Sequence, residues 1–201
     1  MSQLQDAVTI EESVTDSWFL GNAETREDFP KYIQSYKEEN LTSIPSLELS
    51  ENSTEKPEIP EELYTQIASL FDAAKEEYFE DGIESEFERN LVAIVKNYGQ
   101  IVVNELAYLI LNQKVSNEVA SEALRCLGSL YHSVTYKFRL WLLEASLLSP
   151  SAMVRDGAIL GLASLDDRHA LPYLKRVIAQ ELCEELRRNM EQVLDQLEQA
   201  D

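Results

Sequence analysis

The stretches VASEALRCLGSL at 119–130 and VRDGAILGLASL at 154–165 repeat one pattern of apolar and small residues. From Val119 to Val154 the spacing is 35 residues. A weaker copy, LRRNMEQVLDQL, occupies 186–197, and the stretch 87–98 is a fourth candidate. Self-similarity with a period of about 20–50 residues is typical of proteins in which supersecondary units stack on one another. The pattern therefore predicts a repeat architecture.

The apolar residues within each copy recur every three or four positions, which is the spacing of one face of an α-helix. Between the copies we expect a second helix, over 136–148 and again over 169–182, so that each repeat is a helical hairpin. Small residues inside the copies predict that neighbouring helices approach closely. These are Ala123, Cys126, Gly128, Ala158, Gly161 and Ala163.

The stretch 154–174 resembles a complete HEAT repeat, most of all the HEAT-like repeats of phycobilisome-lyase-type proteins. It opens with Val154-Arg155, continues with an alanine-rich first helix, has Asp166 at the turn and begins its second helix with ALPYL at 170–174. The resemblance extends over residues 116–197, although Ala120 replaces the arginine in the copy at Val119.

This resemblance implies an all-α fold, a short right-handed α-solenoid of about four helical hairpins whose second helices line a concave face. Such solenoids are mostly scaffolds and binding surfaces. We expect the solenoid domain to span 61–201, beginning with one long helix over 63–78 that Gly82 ends. Pro60, followed by two glutamates, is typical of a helix start.

Residues 1–60 form an irregular acidic N-terminal segment, because 41–60 is rich in Ser, Thr, Glu and Pro without helical periodicity. Trp18 and Phe19 are exceptions within it, since large aromatic side chains are costly to leave exposed. Two hypotheses stay open for them. They either dock on the first helices as a cap or form a partner-binding segment that orders on contact.

The charge of the chain indicates the class of partner. Its 37 acidic and 17 basic residues give a formal net charge of -20. Nucleic acid and anionic membranes are disfavoured, because binding a polyanion requires Lys and Arg. A protein with a basic surface is favoured. The first residues do not have the pattern of a secretory signal, and no apolar run reaches the ~20 residues of a membrane span, so we expect a cytoplasmic protein.

We find no constellation of catalytic residues or of metal ligands, and we predict neither an enzyme nor a cofactor. His132 and His169 each fall at a turn between two predicted helices, where a solvated or capping role is usual. Cys126 and Cys183 do not have the spacing of a metal or redox motif, so both are expected to be reduced thiols.

Two groups of residues are candidates for binding a partner. The segment 76–88 carries seven acids and no base, interleaved with aromatic and aliphatic residues. A basic partner would contact Glu76, Glu77, Glu80, Asp81 and Glu84, unless this segment is merely a solvated helix end. The second group is locally basic and aromatic and lies on the predicted second helices, where it would line the concave face. It comprises Tyr136, Arg139, Trp141, Tyr173 and Arg176, although Trp141 is equally interpretable as a core residue.

Our leading functional hypothesis is a non-enzymatic protein-binding module, an inhibitor of the immunity or antitoxin kind or an adaptor, that holds a basic protein. The HEAT variant suggests a rival, a tetrapyrrole chaperone or lyase of the phycobilisome type. A scaffold subunit of a larger assembly is the third alternative.

Overall fold

The computed structural model describes residues 60–80 and 82–199. Within these residues the chain forms eight α-helices and no strand, which confirms the all-α prediction for this part. The helices are α1 (Glu61–Ala73), α2 (Glu86–Tyr98), α3 (Gln100–Leu111), α4 (Asn117–Ser129), α5 (Tyr136–Ser146), α6 (Ala152–Leu165), α7 (Leu171–Ile178) and α8 (Glu184–Gln199).

Serine caps begin three of these helices. The side-chain oxygen of Ser85 accepts the N–H of Glu88 at 2.9 Å, Ser116 accepts that of Val119 at 3.3 Å, and Ser151 that of Val154 at 3.4 Å. Each cap satisfies a backbone donor that the first helical turn leaves without an intrahelical partner. The starts of α2, α4 and α6 are therefore encoded locally.

Helices that are two apart in the chain pack against each other. α2 contacts α4, α4 contacts α6, and α6 contacts α8, while α3 packs on α5. The two strong copies of the repeated pattern, in α4 and α6, consequently lie side by side and share the most extensive of these contacts. The core consists of the apolar positions of the pattern, for example Leu124 and Leu127 in α4 and Ile159 and Leu162 in α6, which are all nearly or fully buried.

Glycines bring the backbones of α4 and α6 together. A Cβ atom on Gly128 would overlap the carbonyl oxygen and Cα of Gly161 and would lie 2.6 Å from its carbonyl carbon. A Cβ on Gly157 would lie 2.6 Å from the Cα of Ser121. Only residues without a side chain allow helices to approach this closely. The predicted role of the small residues is confirmed at Gly128 and Gly161.

The first helix is shorter than predicted. Its apolar face, including Leu63 and Ile67, is buried as expected, but α1 ends at Ala73 and a single 3-10 turn continues to Glu76. Glu77 then takes an extended conformation, which carries Tyr78 to the surface instead of onto the buried face. The extended conformation is accompanied by contacts from the Glu77 carboxylate to the start of α2, as described below. The second helices α5 and α7 also end earlier than predicted, at Ser146 and Ile178.

Candidate partner-binding surfaces

The acidic loop, residues 76–84, joins α1 to α2. Glu76, Glu80 and Glu84 are exposed, whereas Asp81 lies outside the described residues. Two apolar side chains stand among these acids, Tyr78 at 80% exposure and Ile83 at 62%. The loop thus presents apolar and negatively charged groups together at the surface.

Phe79 attaches the acidic loop to the body of the protein. Its ring is half-buried and meets the ring of Phe87 edge-on, with 5.9 Å between centroids. Phe87 is itself 1% exposed and packs edge-on against Phe71 of α1 at 5.3 Å. Edge-to-face aromatic pairs stabilise such contacts beyond the area that they bury. Phe79 therefore packs the loop onto the core, whereas Tyr78 faces solvent.

Glu77 differs from the other acids of the loop. Its carboxylate accepts the backbone N–H groups of Glu86 at 2.6 Å and Phe87 at 3.0 Å, in the first turn of α2. A carboxylate at a helix N-terminus also interacts favourably with the helix dipole. The prediction that Glu77 is a partner-binding acid is therefore corrected, because its oxygens already bind the backbone and the residue stabilises the fold.

Glu76, Glu80 and Glu84 are not neutralised by strong ion pairs to described residues. Glu84 approaches Arg89 at 3.9 Å, and both side chains are more than half exposed, at 65% and 60%. A solvent-exposed pair at this distance contributes little free energy. Glu76, Glu80 and Glu84 therefore keep most of their negative potential for an approaching cation.

The predicted face on the second helices does not form as a whole. Arg139 is 1% exposed, Trp141 4% and Tyr173 6%, so the expectation that these three side chains contact a partner is wrong. The alternative interpretation of Trp141 as a core residue is confirmed. Tyr136 is half-buried and Arg176 is exposed, which leaves two of the five predicted residues with access to solvent.

Arg139 stabilises the turn between α4 and α5 from inside the protein. Its guanidinium donates to the backbone oxygens of Leu127 and His132 and, at 3.2 Å, to the hydroxyl of Thr135. Burial lowers the pKa of Arg139 from its ordinary value. A buried guanidinium is tolerated because its donors find acceptors. Helix periodicity could have suggested its burial, because Leu142 and Leu143, three and four positions further on, lie on the same helix face and are buried.

Tyr136 stabilises the next turn of the chain. Its hydroxyl donates to the carboxylate of Asp167, which also accepts the backbone N–H of His169 at 2.9 Å. Burial and the hydrogen bond to Asp167 raise the pKa of Tyr136. Burial alone would raise the pKa of Asp167, but the hydrogen bonds from Tyr136 and His169 outweigh it and hold this pKa below its ordinary value. Tyr136 thus joins the α6–α7 turn to α5.

Arg176 also has a local partner. Its guanidinium carbon lies 4.7 Å from the centroid of the Tyr173 ring, within the range of a cation–π contact. Lys175, beside it, forms an exposed ion pair with Glu198 of α8 at 2.6 Å. These contacts weaken the interpretation of the second helices as a free basic surface.

Arg155 and Glu181 form an ion pair that no pattern in the sequence predicted. Two guanidinium nitrogens of Arg155 donate to the two oxygens of Glu181, at 2.7 and 2.9 Å. A third nitrogen donates to the backbone oxygen of Ser149 at 2.9 Å. Burial alone would raise the pKa of Glu181, but Arg155 and the backbone N–H of Cys183 keep it below its ordinary value. The pair joins α6 to the α7–α8 loop, and Arg155 in the Val-Arg motif was its only signal in the sequence.

The histidines and cysteines do not converge on a chemical site in the part of the chain that the structure describes. His132 lies in the α4–α5 turn, with Nδ1 3.0 Å from the Thr135 hydroxyl, and His169 lies beside Asp167 at 2.7 Å. Burial raises the pKa of the Cys126 thiol to about 12, whereas Cys183 is exposed. Over 60–80 and 82–199, no group of three or more His, Cys, Asp or Glu residues has metal-binding geometry.

Trp18 and Phe19 lie outside the described residues, so both hypotheses for them remain predictions. Every helix of the described ranges is too short or too polar to cross a bilayer. Comparison with protein-family models, with curated proteins and with solved structures found no match.

Proposed function

We propose that this protein is a non-enzymatic binding module that holds a protein partner with a basic surface, as an inhibitor of the immunity or antitoxin kind or as an adaptor. One observation carries the proposal: Tyr78 and Ile83 are largely exposed among Glu76, Glu80 and Glu84 on the acidic loop. An aromatic anchor surrounded by charges of one sign is typical of surfaces that bind a partner of opposite charge.

The energetics assign different roles to the two kinds of residue. Burying Tyr78 and Ile83 in a complex would supply most of the affinity, since each removes a large apolar area from water. The exposed acids would steer a basic partner toward the loop and fix its orientation, but each exposed ion pair would add only about 0–1 kcal/mol. The formal net charge of -20 favours the same class of partner over the whole surface.

We further propose that the helices form a short right-handed solenoid and that the acidic loop belongs to its N-terminal end. The repeat spacing of 35 residues and the packing of helices two apart in the chain support this arrangement. In such an array each repeat contacts only its neighbours, so an end of the array keeps surface that no further repeat covers. A partner could therefore bind a loop at that end without displacing a neighbouring repeat.

The test is a charge reversal that spares the fold. The variant Glu76→Lys, Glu80→Lys, Glu84→Lys retains Glu77, because losing the cap of α2 would confuse binding with stability. The matched control reverses three exposed acids elsewhere, Glu61, Glu191 and Asp195, and changes the net charge by the same amount. A third variant, Tyr78→Ser, removes the aromatic anchor without changing charge.

Each protein is immobilised and used to capture partners from an extract of native cells at low and at high salt. We expect wild type and the control variant to recover the same basic protein at low salt, and the loop variants to lose it. Circular dichroism and urea denaturation check that all variants are folded. Equal loss of the partner by the loop reversal and the control would show that only net charge matters, and undiminished recovery by the loop reversal would exclude the acidic loop as the binding surface. Undiminished recovery by Tyr78→Ser would exclude the aromatic anchor. Recovery of a salt-resistant multi-protein assembly would favour the scaffold alternative.

A further inference from the structure

The acidic loop by itself is smaller than a surface that holds a protein stably. Specific interfaces bury about 800 Å² on each partner, from roughly 20–30 residues. The loop comprises only residues 76–84, and its large exposed apolar side chains are Tyr78 and Ile83. A partner that binds the loop therefore contacts further surface, and the packing of α2 determines which surface adjoins the loop.

The first turn of α2, which follows the acidic loop, lies against the last turn of α4. The Sγ atom of Cys126 is 3.9 Å from the backbone oxygen of Glu88. Burial is the main cause of the raised pKa of Cys126, and the negative charges of Glu88, Glu122 and Glu84 raise this pKa further. The end of the acidic loop is therefore close to the C-terminal end of α4, which leads into the α4–α5 turn, residues 130–135.

The α4–α5 turn exposes two apolar side chains. Tyr131 is fully exposed, and Val134 is 72% exposed. Tyr131 follows Cys126 by about 11 Å of chain, counting three helical and two extended residues. An interface of standard size is about 30 Å across. One partner can therefore contact both Ile83 in the acidic loop and Tyr131 in the turn.

The backbone that presents Tyr131 is held from inside the protein. The buried guanidinium of Arg139 donates to the backbone oxygens of Leu127 and His132. These two carbonyls stand on either side of Tyr131 in the chain. The Nδ1 atom of His132 also lies 3.0 Å from the hydroxyl of Thr135, which is fully buried. A preordered backbone loses little conformational entropy on binding, and tyrosine is one of the residues that most often contribute large binding energies.

The charges around the turn act in opposite directions on a basic partner. Glu84 and Glu86 are exposed at the start of α2 and attract it. Lys137 is exposed in the first turn of α5, three residues after Val134, and repels it. The turn would therefore contribute affinity through the apolar area of Tyr131 and Val134, while Lys137 would reduce that affinity.

We propose that the basic partner binds a composite surface, in which Tyr131 and Val134 of the α4–α5 turn form a second anchor beside Tyr78 and Ile83 of the acidic loop. This inference rests on the proposed function, since one partner contacts both anchors. It adds a site on a different element, and that site can fail while the acidic loop still binds.

The first test removes the second anchor. The basic protein that wild type recovers from the extract is purified and titrated by isothermal calorimetry against wild type, Tyr131→Ser and Leu182→Ser. Leu182 is 96% exposed on the α7–α8 loop and is the matched control. Because both side chains are exposed, neither change is expected to unfold the protein, and circular dichroism checks this. We expect Tyr131→Ser to weaken binding at least about tenfold and Leu182→Ser to bind as wild type.

The second test strengthens binding, which a misfolded variant cannot imitate. Lys137→Glu replaces the repelling charge at the turn with an attracting one. Its control, Lys114→Glu, makes the same change of net charge at an exposed lysine before the start of α4, about 20 Å away along that helix. We expect Lys137→Glu to bind about twofold to fivefold more tightly than Lys114→Glu.

The outcomes separate this inference from the proposed function. Suppose that the loop reversal loses the partner but Tyr131→Ser binds as wild type, or weakens binding no more than Leu182→Ser does. The composite surface is then overturned, and the acidic loop stands as a binding site. Lys137→Glu binding no more tightly than Lys114→Glu has the same consequence. Undiminished binding by the loop reversal, or a wild type that recovers no basic protein, overturns the proposed function and this inference together.

Discussion

Replacing Gly128 with alanine tests the packing of the two strong repeats on each other. The new Cβ would overlap the carbonyl oxygen and Cα of Gly161 on the facing helix. Those are backbone atoms, so no side chain can rotate away to make room. Accommodating the methyl group requires α4 and α6 to move apart, which loosens apolar contacts along the whole helix pair.

Two opposing effects decide the size of the change in stability. Overpacking a well-packed core costs about 1–3 kcal/mol, and the upper value applies here because backbone meets backbone. Alanine recovers about 1 kcal/mol through its better helix propensity. We therefore expect Gly128→Ala to lower the free energy of unfolding by about 2 kcal/mol. For a folded region of this size, that corresponds to a decrease in Tm of roughly 5–10 °C.

Urea denaturation followed by circular dichroism measures this difference. Ser164→Ala is the control, because Ser164 is exposed on α6 and its substitution should change the free energy of unfolding by less than about 0.5 kcal/mol. If Gly128→Ala is as stable as wild type, or more stable, the gain in helix propensity is not opposed by overpacking. The result would then contradict the close packing of α4 against α6 at Gly128.

Three further predictions concern single side chains. Arg155→Met is expected to cost about 2 kcal/mol in urea denaturation at neutral pH, because it leaves the largely buried Glu181 carboxylate without its cation. Since the pKa of Glu181 lies below its ordinary value, the stabilisation is complete above about pH 4.5 and is lost as the pH falls through that lowered pKa. The difference between wild type and Arg155→Met should therefore shrink in acid, and a constant difference would contradict the ionic contribution. Glu77→Ala is expected to lose about 1 kcal/mol in the same assay through the missing cap of α2, and an unchanged midpoint would show that the cap is unimportant. A thiol reagent is expected to modify Cys183 in the native protein and Cys126 only after unfolding, since burial raises the pKa of Cys126 to about 12; rapid native reaction of both thiols would contradict this burial.

The candidate surface was predictable in part. The run of acids at 76–88 identified the acidic loop from composition alone, and Glu76, Glu80 and Glu84 are exposed as a binding surface requires. Composition could not separate Glu77 from its neighbours. Its distinct role depends on where the start of α2, nine and ten residues further on, lies relative to the carboxylate.

The sequence by itself determined the helices and their repetition. Apolar residues at every third or fourth position, and the serines that begin α4 and α6, act within one or two helical turns. Such short-range interactions can be recognised along the chain. The glycines in the copies at Val119 and Val154 likewise indicate that these helices pack closely against a neighbour, although the pattern does not say which one.

Only the tertiary structure decided what each polar side chain does. Arginine is usually a surface residue, but Arg139 is buried because neighbouring turns supply hydrogen-bond acceptors for its guanidinium. Arg155 and Glu181 are separated by 26 residues and meet because α6 and the α7–α8 loop come together. The free energy of a charged group depends on its solvation and on its partners in space. Neither is encoded in the local pattern that specifies a helix.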